Sequence, residues 1–452
     1  MTGHVDRSLR WLGAVPSHWR VQKLRHMLSP FSEKNHPEMP LLSVVREKGV
    51  IVRNVEDKEE NHNYVPDDLS NYKLVRQGQF AMNKMKAWQG SYGVSQYDGI
   101  VSPAYFIFDL NFDMNPEFFH RAIRSKAYVN YFAQASDGIR VGQWDLSMPR
   151  MKEIPFLIPP RAEQDQIVRF LDWKVSEINR LIASKRKQIS LIREYRTTMI
   201  NNAVTQGVRN SHLKSSGMNW LPQIPANWET IPAKALFAHI VELRHEQDEM
   251  LAATQKYGMI AQKEYMALEG RRIVLANDNL DKWLHVEPDD FIISLRSFQG
   301  GLEVCTMPGC VTWHYVVLRP KENVYVPYFK WLFKSASYIG ALQRTSDFIR
   351  DGQDLRFSNF IKVRLLLVPL DEQREIAEYL DKKIPLFDVA EKKISDEIAA
   401  LQEIKARLIS DVVTGKIDVR GIEVPEYEPV TEETEPADED STEEEPTEDQ
   451  ED

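Results

Sequence analysis

The chain is written twice, and that repetition limits its possible folds more than any other feature. WLGAVPSHW (residues 11–19) returns as WLPQIPANW (220–228), and QFAMNKMKAWQGS (79–91) answers to DFIISLRSFQGG (290–301). DGIVSPAYFIF (98–108) matches PGCVTWHYVVL (308–318), and IRVGQWDL (139–146) matches IRDGQDL (349–355). AEQDQIVRFLD (162–172) matches DEQREIAEYLD (371–381). Five colinear matches at an offset of about 210 residues mean two copies of one structural unit.

Each copy has two parts. The first mixes aromatic, strand-like runs such as 104–108 and 315–318 with turn residues. The second is helical: neither glycine nor a run of turn residues interrupts 163–203 or 372–412, and Pro385 alone predicts a kink. A heptad register fits both stretches. In the first, the seam is Leu171, Val175, Ile178, Ile182, Lys185, Ile189, Ile192, Arg196, Met199 and Ala203. In the second it is Leu380, Ile384, Phe387, Glu391, Ile394, Ile398, Leu401, Lys405, Leu408 and Val412. Eight of the ten positions in each seam are apolar, which predicts coiled-coil helices of roughly 60 Å at 1.5 Å per residue. Packing of each helix on its own domain alone is the competing arrangement. Arg196 and Glu391, of opposite sign, are expected to meet if the helices run antiparallel. The resulting division is a first domain at 1–161, a helix at 162–207, a second domain at 208–370, a helix at 371–416, and an acidic tail at 417–452.

Net charge misleads in this chain. Of 67 Asp and Glu, sixteen lie within 422–452, which holds no Lys or Arg; the remaining 51 face 57 Lys and Arg. A mildly basic body therefore carries a proline-containing acidic tail, for which disorder is expected. A small basic excess is compatible with a polyanion without establishing one. No apolar run is long enough to span a bilayer, and residues 1–10 lack an apolar signal core, so a cytoplasmic location is expected. Cys305 and Cys310 stand without a CxxC or Cys/His motif, which predicts neither a disulfide framework nor a zinc site.

Catalytic motifs are missing. There is no Asn-Pro-Pro-Tyr-type string, GxGxxG, Walker loop or HExxH, and Pro66-Asp67 and Pro288-Asp289 are not followed at hairpin distance by Asp/Glu-x-Lys. The expectation is a chain with no catalytic residues, metal or cofactor of its own.

The ordered set of repeated strings, with the proline-then-EQ helix starts IPPRAEQDQI (158–167) and VPLDEQREI (368–376), resembles the specificity (S) subunit of type I restriction–modification systems over residues 8–420. The resemblance implies an α+β fold with a pseudo-twofold repeat. Two target-recognition domains would each read one half of a bipartite double-stranded DNA site. The two long helices would form an antiparallel coiled-coil spacer that docks two methyltransferase (M) subunits. The M subunits would carry S-adenosylmethionine and methylate adenine, and an ATP- and Mg-dependent restriction (R) subunit would translocate and cut DNA. The acidic tail departs from the family pattern. A free-standing DNA-binding regulator is the alternative.

Base readout calls for Arg, Gln or Asn on turns, with Lys meeting phosphate. The candidates are Lys84, Lys86, Gln89, Arg140 and Gln143 in the first domain, and Arg296, Gln299, Arg350 and Gln353 in the second. Neighbouring glycines allow close backbone approach, although the same strings also shape hairpins and cap helices. Trp11, Trp19, Trp220 and Trp228 are expected to anchor each domain entry in its core, and Arg271 and Arg272 form a small basic cluster.

Overall fold

A computed structural model describes residues 15–46, 48–53, 66, 68–111, 113–137, 144–269, 279–294, 297–345 and 355–431. The chain divides into two compact units, residues 1–185 with 395–452, and residues 186–394. Each unit therefore takes half of each long helix.

In the first unit, an antiparallel four-stranded sheet runs in the order Leu28–Phe31, Tyr105–Leu110, Phe80–Asn83, Tyr92–Val94. The second unit repeats it as Phe237–Ile240, Val316–Pro320, Phe291–Ile293, Glu303–Val304. Two short helices back each sheet, Pro116–Ile123 with Lys126–Gln134 and Val326–Phe333 with Ala336–Gln343. Asn115 caps the first of these by accepting from the Glu117 and Phe118 amides. Aromatic residues fill the interface. Phe80, Phe108, Phe119, Tyr128 and Phe156 are fully buried in one unit, and Phe237, Phe291, Phe329, Phe333 and Phe360 in the other. Many of these rings meet edge-on, as Phe80 does with Phe119 at 5.5 Å and Phe237 with Phe291 at 5.6 Å.

The long helices span Arg161–Gln206 and Leu370–Val413, and the second continues through Pro385. All twenty seam positions are buried or half-buried, so the heptad register holds along both helices. In the first unit Asn179 meets Lys405 (3.3 Å) and Lys185 meets Glu397 (2.6 Å), so the helices run antiparallel. In the second unit Arg193 pairs with Glu391 (2.5 Å) and Arg196 with Asp388 (2.9 Å), again antiparallel. The expected Arg196–Glu391 pair is thus replaced by two neighbouring pairs. Each charge takes a partner at the flank of the seam, where long side chains reach water.

The repeated tryptophans and EQ dipeptides join each helix start to a domain entry. Trp19 donates its indole N–H to Glu163 (3.0 Å), and Trp228 donates to Glu372 (2.8 Å). The adjacent glutamines are buried: Gln164 accepts from the Asn115 amide and donates to the Pro159 carbonyl. Gln373 accepts from Tyr325 N–H and donates to the Asn323 and Val368 carbonyls. The glycine after each helix receives the indole of the same knot. Gly207 lies against Trp228, and Gly415, at φ +77°, against Trp19 and Pro16, where an added Cβ would come within 2.5 Å of the proline ring. Trp11 lies outside the described residues, while Trp220 is half-buried and donates to the Arg364 carbonyl (3.3 Å).

The tail expectation needs correction. Residues 417–431 are docked as an extended strap along the first long helix rather than disordered. Val419 is buried, and Ile422 and Val424 join the first unit's core. Gln166 donates to the Val419 and Ile422 carbonyls, Arg180 to that of Glu428 and Asn179 to that of Val430, while Ser176 both donates to Glu428 and accepts from the Val430 amide. The grip is on backbone atoms, so the charge and proline content that signals disorder does not oppose it. Residues 432–452 lie outside the described part.

Candidate nucleic-acid interface

Strand Phe80–Asn83 delivers the chain into a short 3-10 turn, Lys84–Gln89, because Asn83 turns its side chain onto the Met85 amide and Gly90, at φ +95°, ends the turn. Ala87 is buried beneath, and Lys86 is exposed while Lys84 and Gln89 are half-exposed. Lys84 pairs with Asp145, and the rings of Trp88 and Trp144 meet at 5.1 Å. Asp145 belongs to a small hairpin whose base is Ser136–Asp137 with Asp145–Leu146. The KAWQG string and the end of IRVGQWDL at residues 144–146, more than fifty residues apart, are thus brought together. Arg140 and Gln143 lie outside the described residues, on the segment this hairpin base carries.

Arg124 holds the turn from below, donating to the Tyr92 carbonyl (2.6 Å), the Gly90 carbonyl (3.3 Å) and the Arg46 carbonyl (2.7 Å). His120 beside it accepts from the Val94 amide (3.1 Å). Burial, with the Arg124 charge adding to it, pushes its imidazole down to about 4, so it is neutral at ordinary pH. Sequence reasoning missed this clamp, for which no local motif exists.

The second unit uses the same construction. Ser297–Gly300 forms a short helical turn after strand Phe291–Ile293, with Gln299 exposed on it. Gln343 donates to the Phe298 carbonyl (2.6 Å), holding the turn against the helix that leads into residues 346–354. Asn359 and Lys362 both reach the Thr345 carbonyl at the base of that segment (2.9 and 3.3 Å). Arg296, Arg350 and Gln353 fall outside the described residues, as do Arg271 and Arg272. The ends of the two central strands differ in one half-buried pair: Gln79–Asp109 (2.8 Å) in the first unit corresponds to a bidentate Asp290–Arg319 pair (2.8 and 2.9 Å) in the second.

These features define a duplicated α+β scaffold on paired helices, presenting an equivalent polar turn-and-loop cluster in each unit. No protein-family model matches the chain. Among solved structures it is similar to a chain described under "Structural basis underlying complex assembly and conformational transition of the type I R-M system". The TM-score is 0.62 at 13% identity, covering 89% of this chain and all of that one. It is also similar, with a TM-score of 0.47 and 16% identity over 89% of this chain and 98% of the other, to the HsdS subunit from Thermoanaerobacter tengcongensis. The first likeness shows that the two chains share a fold over nearly their full lengths.

Proposed function

We propose that the chain is the DNA-sequence-specificity subunit of a type I restriction–modification complex, reading one half-site with each unit. The observation that carries this reading is the repeated construction of the polar cluster. In both units a glycine-ended turn bearing Lys or Gln is held beside the base of a segment carrying Arg and Gln, the residue types that contact phosphate and read base edges. The shared fold with a chain of a type I system supports it.

The helices favour a subunit over a free-standing regulator. Leu181 and Ile404 on the helices of the first unit are about 54% exposed, and in the second Leu191, Tyr195, Leu386 and Val389 are between 55% and 67% exposed. Such side chains on coiled-coil outer faces suit docking of modification subunits. Under this reading S-adenosylmethionine, ATP and Mg belong to the partner subunits, and this chain does no chemistry itself. Mapping methylated adenines in cells that express the chain with its modification subunits tests the proposal. The expected result is one bipartite motif, with exchange of residues 84–89 and 138–144 altering only one half. Methylation by the chain alone, or a motif unaffected by the exchange, would overturn it.

A further inference from the structure

Three potential metal ligands outside the recognition turns converge in the second unit. Glu242, His245 and His285 each present a ligand atom, and these atoms lie within 4.8 Å of one another. Backbone pairing brings the segments together: His285 N–H donates to the Glu242 carbonyl (2.8 Å), and Arg244 N–H to that of Trp283 (2.9 Å). The two imidazoles lie 4.1 Å apart, centre to centre. His285 is buried, and Asp248 accepts at its Nδ1 (2.8 Å) while Glu287 lies at its Nε2 (3.1 Å). Glu242, His245 and Glu287 are about half exposed, which leaves a path for an ion.

We propose that this cluster is a binding site for a divalent transition ion of the zinc class, with Glu242, His245 and His285 as ligands. Asp248 then plays the part of the carboxylate that fixes a ligating histidine through its other ring nitrogen, and Glu287 stands next to the open side. Two imidazoles and a carboxylate form a donor set that zinc accepts with a fourth position left to solvent or Glu287. A tetrahedral site with such bonds has edges of about 3.4 Å, and rotation of the half-exposed Glu242 and His245 side chains closes the difference. Three carboxylates surround the two imidazoles. Arg319 stands 4.0 Å from a Glu242 oxygen but is engaged by a bidentate pair with Asp290, and Arg244 is turned to Cys310, so a cation held directly between the imidazoles and Glu242 would offset the carboxylate charge there.

The repeat supplies an internal comparison. The first unit keeps the first two residues as Glu33 and His36, 2.9 Å apart, with the same backbone tie from Leu74 N–H to the Glu33 carbonyl. The third position there is the buried Leu74, which cannot ligate. The site therefore belongs to the second unit alone. It escapes motif reading because His245 and His285 are forty residues apart in the sequence.

The test uses the chain lacking residues 432–452 in every arm, so that the acidic tail does not bind metal. After chelation it is titrated with zinc and, separately, with cobalt, and followed by metal content, visible cobalt absorption and melting temperature. The expected result is one equivalent bound, tetrahedral cobalt absorption and a rise in melting temperature with zinc. His285→Leu, which installs the first unit's residue, and the more exposed His245→Asn should each weaken binding at least tenfold and abolish that rise. Substoichiometric binding by the parent chain, or undiminished binding in both variants, would overturn the proposal. Should His285→Leu fail to fold, His245→Asn alone decides.

Discussion

His120 shows how one buried side chain ties the strand that follows the Lys84–Gln89 turn to pH. Its Nδ1 must be unprotonated to accept from Val94, and Gly93 gives it room, since a Cβ there would come within 3.0 Å of the ring. The imidazole titrates near 4 in the folded chain against an ordinary 6.5. The unfolded chain therefore takes up the proton first, and the stability His120 contributes is present above pH 6.5 and lost as pH falls toward 4. The loss amounts to at most about 3 kcal/mol. His120→Gln, whose amide oxygen can still accept, should flatten the fall in melting temperature between pH 6.5 and 4; an unchanged pH profile would count against this account. At this scale the sequence was partly readable. Trp19 and Trp228 are core anchors, as expected, and the EQ pairs mark the helix starts. The hydrogen bonds that the two indoles donate to Glu163 and Glu372 join positions 144 residues apart, which no local pattern encodes.

The long helices were the most legible elements, because a seven-residue repeat directly reports which face is buried. Their ion pairs were less so: a heptad register fixes layers, whereas the choice between Arg193 and Arg196 for Glu391 depends on how far each side chain reaches. Glu391 is about one-fifth exposed, so reversing it should cost on the order of 1 kcal/mol, less than a buried charge would. Adding Arg193→Glu to Glu391→Arg should restore most of that loss in chemical denaturation, whereas Arg196→Glu in its place should not. The strap was illegible for a different reason. Composition measures what side chains can bury, but residues 423–430 are held mainly through their backbone by polar side chains of the helix. Removing residues 432–452 should leave melting unchanged. Removing 423–452 should destabilise the first unit by about 2 kcal/mol, since Val424 loses its packing and the helix side chains lose their partners. Equal melting of both truncations would refute a structural role for the strap.

On the scale of the whole chain, duplication was evident from five aligned strings, and it fixed the order of elements in both units. The candidate site was only half readable. Lys84, Lys86, Gln89 and Gln299 do sit on turns at the ends of central strands, because glycine-ended polar strings after apolar runs mark such turns. The clamp by Arg124 and the meeting of Trp88 with Trp144 depend on tertiary packing and were invisible. The contact of Gly415 with Pro16 and Trp19 places the close of the second long helix against the entry of the first domain. Within the first unit, segments far apart in the sequence are therefore neighbours. A circular permutant that joins residue 431 to residue 15 through a flexible peptide long enough to run back along the helix from Asn179 to Glu163, about 24 Å, and opens at the exposed residues 209–212, should fold with near-parental stability. It would be translated with the second unit first, and the packing inside each unit would stay the same.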